Sequence, residues 1–525
     1  MTYQYTISEN RAFLLNLETN IYTPTNLNKL FHGEILDQQY NLIKSSIRHK
    51  YMVGIFSTSQ TQRFGKNKKG NIIYFVKPIQ YNLPNFLISY GGKLKGKLAI
   101  KFKFTKWDEK LPFGEIIDVI GLFDSINLNN ILLYHYNLYP KKNNKLEENP
   151  LEVIKRRNYQ DVIFSIDPDD CVDIDDALSI KVENDMTIIG VHIAQPICWI
   201  NLQDLHNKIN NQFSTLYLPE SRKDLWGDKI TQLASLFPNE NKPAYTTLFY
   251  YQNNKLIKTE DFASTICNNH KLSYDNADIC SQAVELKEFT KNLSDCDDYH
   301  DVVSYWMVKT NSYIGNKLSN IPYRVNHFNN VELPDLSEDI GKKFMSKKID
   351  SAYYSLDETF HQSLGIDKYT HFTSPIRRYI DTWVHYYLTY PDIRGELKLN
   401  LDLINDLDTR TKKFHRELEL NDTINRIFAD TEMIETIGYI YQIISNNMIE
   451  IYIDDIGFFK IKLYPIKFDY LIEKEQTDNN LMLKYQDKTL NYKIGDTINI
   501  TLNYKNDVLP KNKIIVLPSD SFSFI

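Results

Sequence analysis

Cysteine is scarce in this chain: five in 525 residues, at positions 171, 198, 267, 280 and 296. The number is odd and no two stand in a close C-x-x-C spacing, which argues against a disulfide-framed secreted scaffold and against a ribbon-type structural zinc site. A reducing, intracellular compartment is expected. Long apolar runs are missing too, and the opening MTYQYTISENR has neither the basic head nor the apolar stretch of a secretory leader. The expected location is therefore the cytoplasm or another intracellular space, away from membranes. A basic surplus is the third absence: 61 Lys and Arg against 67 Asp and Glu leave a formal net charge of −6. That excludes a uniformly basic surface, so any contact with a polyanion must rest on local positive charge. No internal repeat is visible beyond a recurrence of barrel-like strand patterns.

What the chain does have is a dense acidic run. Ile166-Asp167-Pro168-Asp169-Asp170-Cys171-Val172-Asp173-Ile174-Asp175-Asp176-Ala177 places six aspartates in ten positions, between the apolar segments VIFSI and ALSI. Pro168 forbids a helix interior and pushes Asp167 toward an extended conformation, so the acids sit on a loop or bulge between two buried strands. Carboxylates crowded in a partly buried place stay ionised together only when cations neutralise them. Oxygen-only ligands favour a hard ion, Mg²⁺ or Mn²⁺ before Zn²⁺. Two other readings exist, a merely solvated acidic loop and a calcium loop. The calcium loop fails on spacing, because a start at Asp167 puts Cys171 at the fifth ligand position and Val172 where the turn glycine belongs.

A second segment, Tyr369-Thr370-His371-Phe372-Thr373-Ser374-Pro375-Ile376-Arg377-Arg378-Tyr379-Ile380-Asp381, runs into TWVHYYL. Pro375 can occupy a first helical turn with Ser374 or Thr373 as cap, and Ile376, Ile380, Trp383, Val384 and Tyr387 then share one face. Arg377 beside a helix N-terminus makes a receptor for phosphate. Taken alone, an ordinary capped helix with surface arginines explains the same residues.

Together, in order and separation, the two segments resemble the signatures of the RNB (RNase II-type) family of 3′→5′ exoribonucleases. The acidic pattern D-x5-D-x-DD-A-L reads here as Asp167, Asp173, Asp175, Asp176, Ala177 and Leu178, followed by VHIA at Val191–Ala194, and HFTSPIRRY stands intact from His371 to Tyr379. Weaker echoes are LYLP at Leu216–Pro219, LASLFP at Leu233–Pro238, and a degenerate helix near Met307–Asn311. The resemblance implies a hydrolase producing 5′-phosphomonoesters from single-stranded RNA with two Mg²⁺ (or Mn²⁺) ions. Asp167, Asp175 and Asp176 are then metal ligands, and Asp173 is a ligand or the holder of water and the terminal ribose. Arg377 contacts the scissile phosphate, and Arg378 and His371 lie beside the RNA. Tyr217 stacks on the 3′-terminal base, though a plain strand tyrosine fits its position equally well, and Phe328 is the choice for a second stacking aromatic. Departures stand beside these matches. Gln195 replaces an acid after VHIA, the arginine usual before the YLP element is absent, and the acidic helix motif is reduced to VVSYWMVKTN. They leave room for a catalytically silent RNA-binding or assembly protein, and two-metal carboxylate sites can also cleave DNA.

Local positive charge is found in Arg63, Lys66, Lys68 and Lys69, and in the run Lys93, Lys95, Lys97, Lys101, Lys103 and Lys106. Alternation of Lys101 and Lys103 with Ile100, Phe102 and Phe104 predicts a strand with one buried face and one lysine face, at an RNA-contacting barrel surface or as a guarded edge. The expected fold is α+β and multidomain. It comprises a first cold-shock-like OB barrel at 1–48, short for a complete barrel, a second at 49–145, a mixed α+β RNB catalytic domain at 146–432, and a C-terminal OB-like RNA-binding barrel at 433–525. The polar YPKKNNKLEENP reads as the linker before the catalytic part. The chain is expected to start at the first barrel without a preceding endonuclease module, to end without a lysine-rich tail, and to act as a monomer on RNA; membership of a larger RNA-decay assembly is not legible.

Overall fold

The computed structural model describes the chain apart from residues 1, 9–10, 63, 81, 109, 139–153, 211, 328–335, 465–471, 478, 487, 506–507 and 520–525. The expected linker, YPKKNNKLEENP, falls outside the described residues, as do Arg63 and Phe328.

The fold is α+β with barrel-like sheets around a central mixed sheet. At the N-terminus, Tyr3–Ser8, Arg11–Asn16, Tyr22–Pro24, Ile35–Leu36 and Leu42–Lys44 form an open five-stranded sheet. Its own buried apolar set is only Tyr5, Leu14 and Leu36, too little for an independent core. It leans instead on the next unit, where Tyr51–Ser57, Ile72–Pro78, Phe86–Tyr90, Lys97–Lys106 and Phe113–Leu122 close a barrel. Phe31, from the first segment, is buried in that barrel, with its ring 4.9 Å from Trp107 and 5.9 Å from Phe86. Arg48 seals the joint through Glu34, which is wholly buried.

Lys97–Lys106 is no edge strand. It pairs on one side with Tyr51–Ser57 and on the other with Phe113–Leu122. Leu98, Ile100 and Phe102 are buried, while Lys101 and Lys103 point outward as the alternation demands.

The central sheet has seven strands in the order Arg157–Asn158, Lys255–Cys267, Asn241–Gln252, Met186–Ala194, Asp176–Glu183, Ile163–Ile166 and His270–Leu272. The acidic run is the connection between two of these neighbours, Ile163–Ile166 and Asp176–Glu183, as the flanking apolar segments require. Against the sheet pack the helices Ser281–Lys291, Tyr299–Lys317 and Tyr379–Thr389, with Leu401–Ile427 running on toward the C-terminal unit. Tyr299–Lys317 starts at a capping box made by Asp298 and Asp301, so the worn motif still builds a well-terminated helix.

One glycine fixes how that helix sits. A Cβ on Gly315 would lie 1.9 Å from the Lys368 carbonyl oxygen, so only glycine lets the helix approach the stretch leading into HFTSPIRRY. The approach brings Asn311 into reach. Its amide donates to Tyr369 Oη (3.0 Å) and Thr373 Oγ1 (3.3 Å), and its carbonyl accepts from the Phe372 and Thr373 backbone N–H groups (2.8 and 3.2 Å). The C-terminal part pairs a five-stranded sheet, running from Met433–Ser445 to Ile514–Pro518, with the three strands Glu473–Gln476, Asn480–Tyr485 and Lys488–Lys493 around one apolar core.

Candidate active site

The acidic loop is stitched down along its length by backbone and side-chain bonds. Asp167 N–H donates to Leu272 O (3.0 Å), Cys171 N–H to Pro168 O (3.0 Å), Leu236 N–H to Ile174 O (3.1 Å) and Ala194 N–H to Asp175 O (2.8 Å). Ser235 Oγ donates to Val172 O (3.0 Å), which places the LASLFP echo against the loop. Lys271 Nζ donates to the carbonyls of Asp169 and Cys171, both at 2.9 Å. A single ammonium thus gathers two carbonyls of a loop that carries six carboxylates.

Segment 375–378 departs from the expected helix. The helix spans Tyr379–Thr389, four residues later, and Arg377 and Arg378 precede it. Tertiary bonds outcompete the helical ones here. Thr215 N–H donates to Arg377 O (2.9 Å), Tyr379 N–H to Phe213 O (2.9 Å), and Trp226 Nε1 to Pro375 O (3.1 Å). The apolar stripe survives, since Ile376, Ile380, Trp383 and Val384 are all buried. Arg377 therefore does not stand in the first turn of a helix.

The two segments meet at Asp175. Its carboxylate, 2% exposed, accepts from Ile376 N–H (2.7 Å) and from Arg377 Nε (3.0 Å). Arg377 is 47% exposed and also reaches Ser374 Oγ (3.2 Å), so its fork is held at the base and open toward a cavity of about 620 Å³. Asp167, Asp173, Asp175, Asp176, Tyr217 and Arg377 line that cavity together.

Electrostatics follow from the crowding. Burial, then proximity to one another, pushes the carboxyls of Asp167, Asp175 and Asp176 above their usual range, with Arg377 opposing the shift. Asp175 spends its oxygens on Arg377 and Ile376, and Asp173 on Tyr217 Oη (2.6 Å) and Arg222 (3.1 Å). Among the described residues no group of three or more His, Cys, Asp or Glu is drawn together as a metal cluster. The donor set still fits a hard cation. Asp167 Oδ2 is buried with no hydrogen-bond partner, next to carboxyls that ionise together only against added positive charge.

Other expected residues lie elsewhere. Arg378 turns away from the cavity and pairs with Asp381 (2.7 Å), which is fully buried. His371 accepts from or donates to Tyr354 Oη (2.7 Å), and burial and the nearby Arg378 and Arg324 hold its imidazole neutral, well below the usual histidine range. Lys101 sits over the rings of Tyr51 and Tyr134 (4.5 and 5.5 Å), and Lys103 pairs with Glu115 (3.0 Å), on the barrel.

Arg222, Cys171, Tyr274 and His300 also line the cavity, though none was expected there. Tyr274 and His300 lie face to face, 3.5 Å between ring centroids and 13° between planes, from a strand end and a helix start 26 positions apart. Nothing local in the sequence announces that pairing. Arg222 could have been found, since L-Y-L-P-E-S-R-K is a short hairpin in which Tyr217 and Arg222 are register partners.

Comparison with known proteins places this geometry. The RNB domain family matches residues 156–320 and 307–390, which hold the acidic loop, the hairpin and HFTSPIRRY. Ribonuclease R of Mycoplasma genitalium is 25% identical over 83% of this chain and 74% of its own length. The apo form of the same enzyme superposes with a TM-score of 0.74 at 18% identity, covering 98% of this chain and all of that one. Yeast Ssd1, described as a pseudonuclease, superposes with a TM-score of 0.67 at 15% identity over 93% of this chain and 81% of that one. Residues 156–390 thus match the RNB domain, set between barrel-like sheets, and the chain resembles the RNB-family 3′→5′ exoribonucleases.

Proposed function

We propose that the protein is a 3′→5′ exoribonuclease that degrades single-stranded RNA processively to 5′-nucleoside monophosphates with Mg²⁺, or Mn²⁺ in its place. The observation that carries this reading is the convergence of four aspartates and a half-exposed arginine on one cavity. Hydrolysis of a phosphodiester needs negative charge on the phosphate offset as it grows, and Arg377 presents its guanidinium to the cavity while Asp175 and Ser374 hold it in place. Asp167 and Asp176 have the spare capacity to hold a divalent ion, with Asp173 and Asp175 completing the acidic wall. Such an ion supplies neutralisation of the carboxylates and a polarised water. Tyr217, 43% exposed at the cavity wall, presents its ring for stacking on the terminal base, a grip indifferent to sequence. Functionally we divide the chain at 48, 145 and 432, with RNA reaching the catalytic part past the barrels.

A second reading, a silent RNB-like RNA-binding protein, draws on the engagement of Asp173 and Asp175 by protein donors and on the likeness in fold to a pseudonuclease. One experiment separates the readings. Purified protein with Mg²⁺ is incubated with 5′-labelled RNA, the matched DNA, the same RNA bearing a 3′-phosphate, and a circular RNA. Shortening of the plain RNA alone, from its 3′ end, supports the exoribonuclease. Binding without shortening supports the silent protein, shortening of DNA widens the substrate class, and cleavage of the circle removes the exonuclease assignment.

A further inference from the structure

The arginine missing before the YLP element has a counterpart after it. Leu216–Leu218 and Ser221–Lys223 form a tight antiparallel hairpin, with Tyr217 opposite Arg222. Both side chains end on the same carboxylate: Tyr217 Oη donates to Asp173 Oδ2 at 2.6 Å, and Arg222 Nη1 to Asp173 Oδ1 at 3.1 Å. The rest of the Arg222 fork goes to Asp224, with Nε at 2.8 Å from Oδ1 and Nη2 at 3.3 Å from Oδ2. Asp173 and Asp224 are both buried, 8% exposed each, so the guanidinium is the cation between two carboxylates that share little solvent.

The same hairpin is tied to the other half of the site. Ser214 bridges to Arg378, and Thr215 N–H donates to Arg377 O. Gln212 Nε2 donates to Ser214 O (3.0 Å) and Lys223 O (2.8 Å), and Leu225 N–H donates to Thr215 Oγ1 (3.1 Å), which closes the base of the hairpin. The hairpin is therefore the joint between the acidic loop and the arginine segment, and Arg222 is its strut on the acidic side.

We infer that Arg222 is a positioning residue: by holding Asp173 against Asp224 it fixes the acceptor on which Tyr217 rests, and so sets the plane that Tyr217 offers to the last base of the RNA. This rests on the nucleotide-clamping role proposed for Tyr217. Without Arg222, Asp173 loses its one charged donor and keeps Tyr217 Oη and Cys171 Sγ, Asp224 loses its cation, and the carboxylate that anchors the Tyr217 ring can rotate. Arg222→Lys places one ammonium where a fork spans two carboxylates, and restores the arrangement only in part.

The test uses the full-length protein in EDTA, so that no RNA is consumed, with an oligomer carrying 2-aminopurine as its 3′-terminal base. Stacking on Tyr217 quenches that fluorophore, and anisotropy of a 5′ dye on the same oligomer reports binding. The parent protein is expected to quench, Tyr217→Ala to lose the quench, Arg222→Met to lose at least half of it while overall affinity falls less than about fivefold, and Arg222→Lys to stand between. Backbone hydrogen exchange, which needs no RNA, is followed on the same variants and should rise at 216–223 in Arg222→Met while the central sheet stays protected. Full quench and unchanged exchange in Arg222→Met overturn the inference. Absence of RNA binding by the parent overturns the nucleotide-clamping role, and exchange at 216–223 then still decides whether Arg222 fixes the hairpin.

Discussion

Arg377 and Arg378 are adjacent in sequence, yet only Arg377 opens on the cavity, and on the proposed function replacing each by alanine should affect turnover very differently. Arg377 is anchored by Asp175 and Ser374 but half exposed in the cavity. Its loss removes the group that offsets charge on the phosphate, and removing one such donor typically lowers turnover about a hundredfold to a thousandfold, or ~3–4 kcal/mol in the barrier. Stability should fall as well, because Asp175 is buried and is left with the Ile376 N–H once Arg377 is gone. Arg378 pairs with a buried aspartate too, but away from the cavity. Asp381 has no exposed surface, its Oδ2 has no hydrogen-bond partner, and its Oδ1 accepts from Ser374 N–H and from Arg378. Removing Arg378 strands a buried carboxylate, a change that costs about 3–5 kcal/mol. The assay is turnover of a 5′-labelled single-stranded RNA at saturating Mg²⁺, alongside urea and thermal unfolding of each variant. Both variants should unfold earlier than the parent; at a temperature where each is folded, Arg377→Ala should barely turn over and Arg378→Ala should retain most of its turnover. Equal loss of turnover from both folded variants, or Arg377→Ala within threefold of the parent, would show that the phosphate does not sit at Arg377.

Asp175→Asn keeps an acceptor for Ile376 N–H but removes the charge that orients Arg377, so hydrolysis should fall at least a hundredfold while RNA binding in EDTA stays within a few fold of the parent; measured turnover near that of the parent would sink this assignment. Gly315→Ala forces helix Tyr299–Lys317 away from Lys368 and should destabilise the fold by about 1–3 kcal/mol with loss of the Asn311 bonds, read as a lowered urea midpoint; an unchanged midpoint contradicts the close approach. His192, fully buried between Ser179 and Thr246, is driven by burial down to about 3, whereas the unfolded chain protonates it near 6.5. Below 6.5 the unfolded state binds the extra proton, so this group's contribution to stability is intact above that pH and lost as pH falls toward 3, at up to about 1.4 kcal/mol per unit. The stability gap between the parent and His192→Gln should therefore shrink by about 2 kcal/mol between pH 7.5 and 5, and a pH-independent gap refutes the neutral ring.

The parts of the site legible in the sequence were those whose chemistry is local. Six acids in ten positions with a proline among them can hardly be anything but a crowded loop, and the flanking apolar segments do form neighbouring strands of one sheet. The strand at Lys97–Lys106 was visible in its alternation, while its place between two partners was not, because pairing depends on segments tens of residues away. Segment 375–378 shows the same limit from the other side. Pro375, Ser374 and the apolar spacing all favour a helix start there, but the carbonyl of Arg377 is taken by Thr215 and that of Pro375 by Trp226, residues about 150 positions earlier. With the Tyr379 N–H given to Phe213 O instead of Pro375 O, the regular helix begins at Tyr379.

The same competition acts on the other cations expected beside the RNA. Arg378, His371, Lys101 and Lys103 are cations or potential cations in or near the recognised patterns, and each has a partner within the protein: Asp381, Tyr354, Tyr51 with Tyr134, and Glu115. A chain of net charge −6 has more carboxylates than cations to pair with them, so most arginines and lysines near the core are drawn into internal pairs. A cation that remains half exposed inside an acidic cavity is then the exception, and its surroundings must be built to keep it there. Asp175, Ser374 and the backbone bond from Thr215 do that for Arg377. On the proposed function the acidic excess is compatible with a polyanionic substrate, because Arg377 would face the phosphate and a bound cation would offset the acids around it.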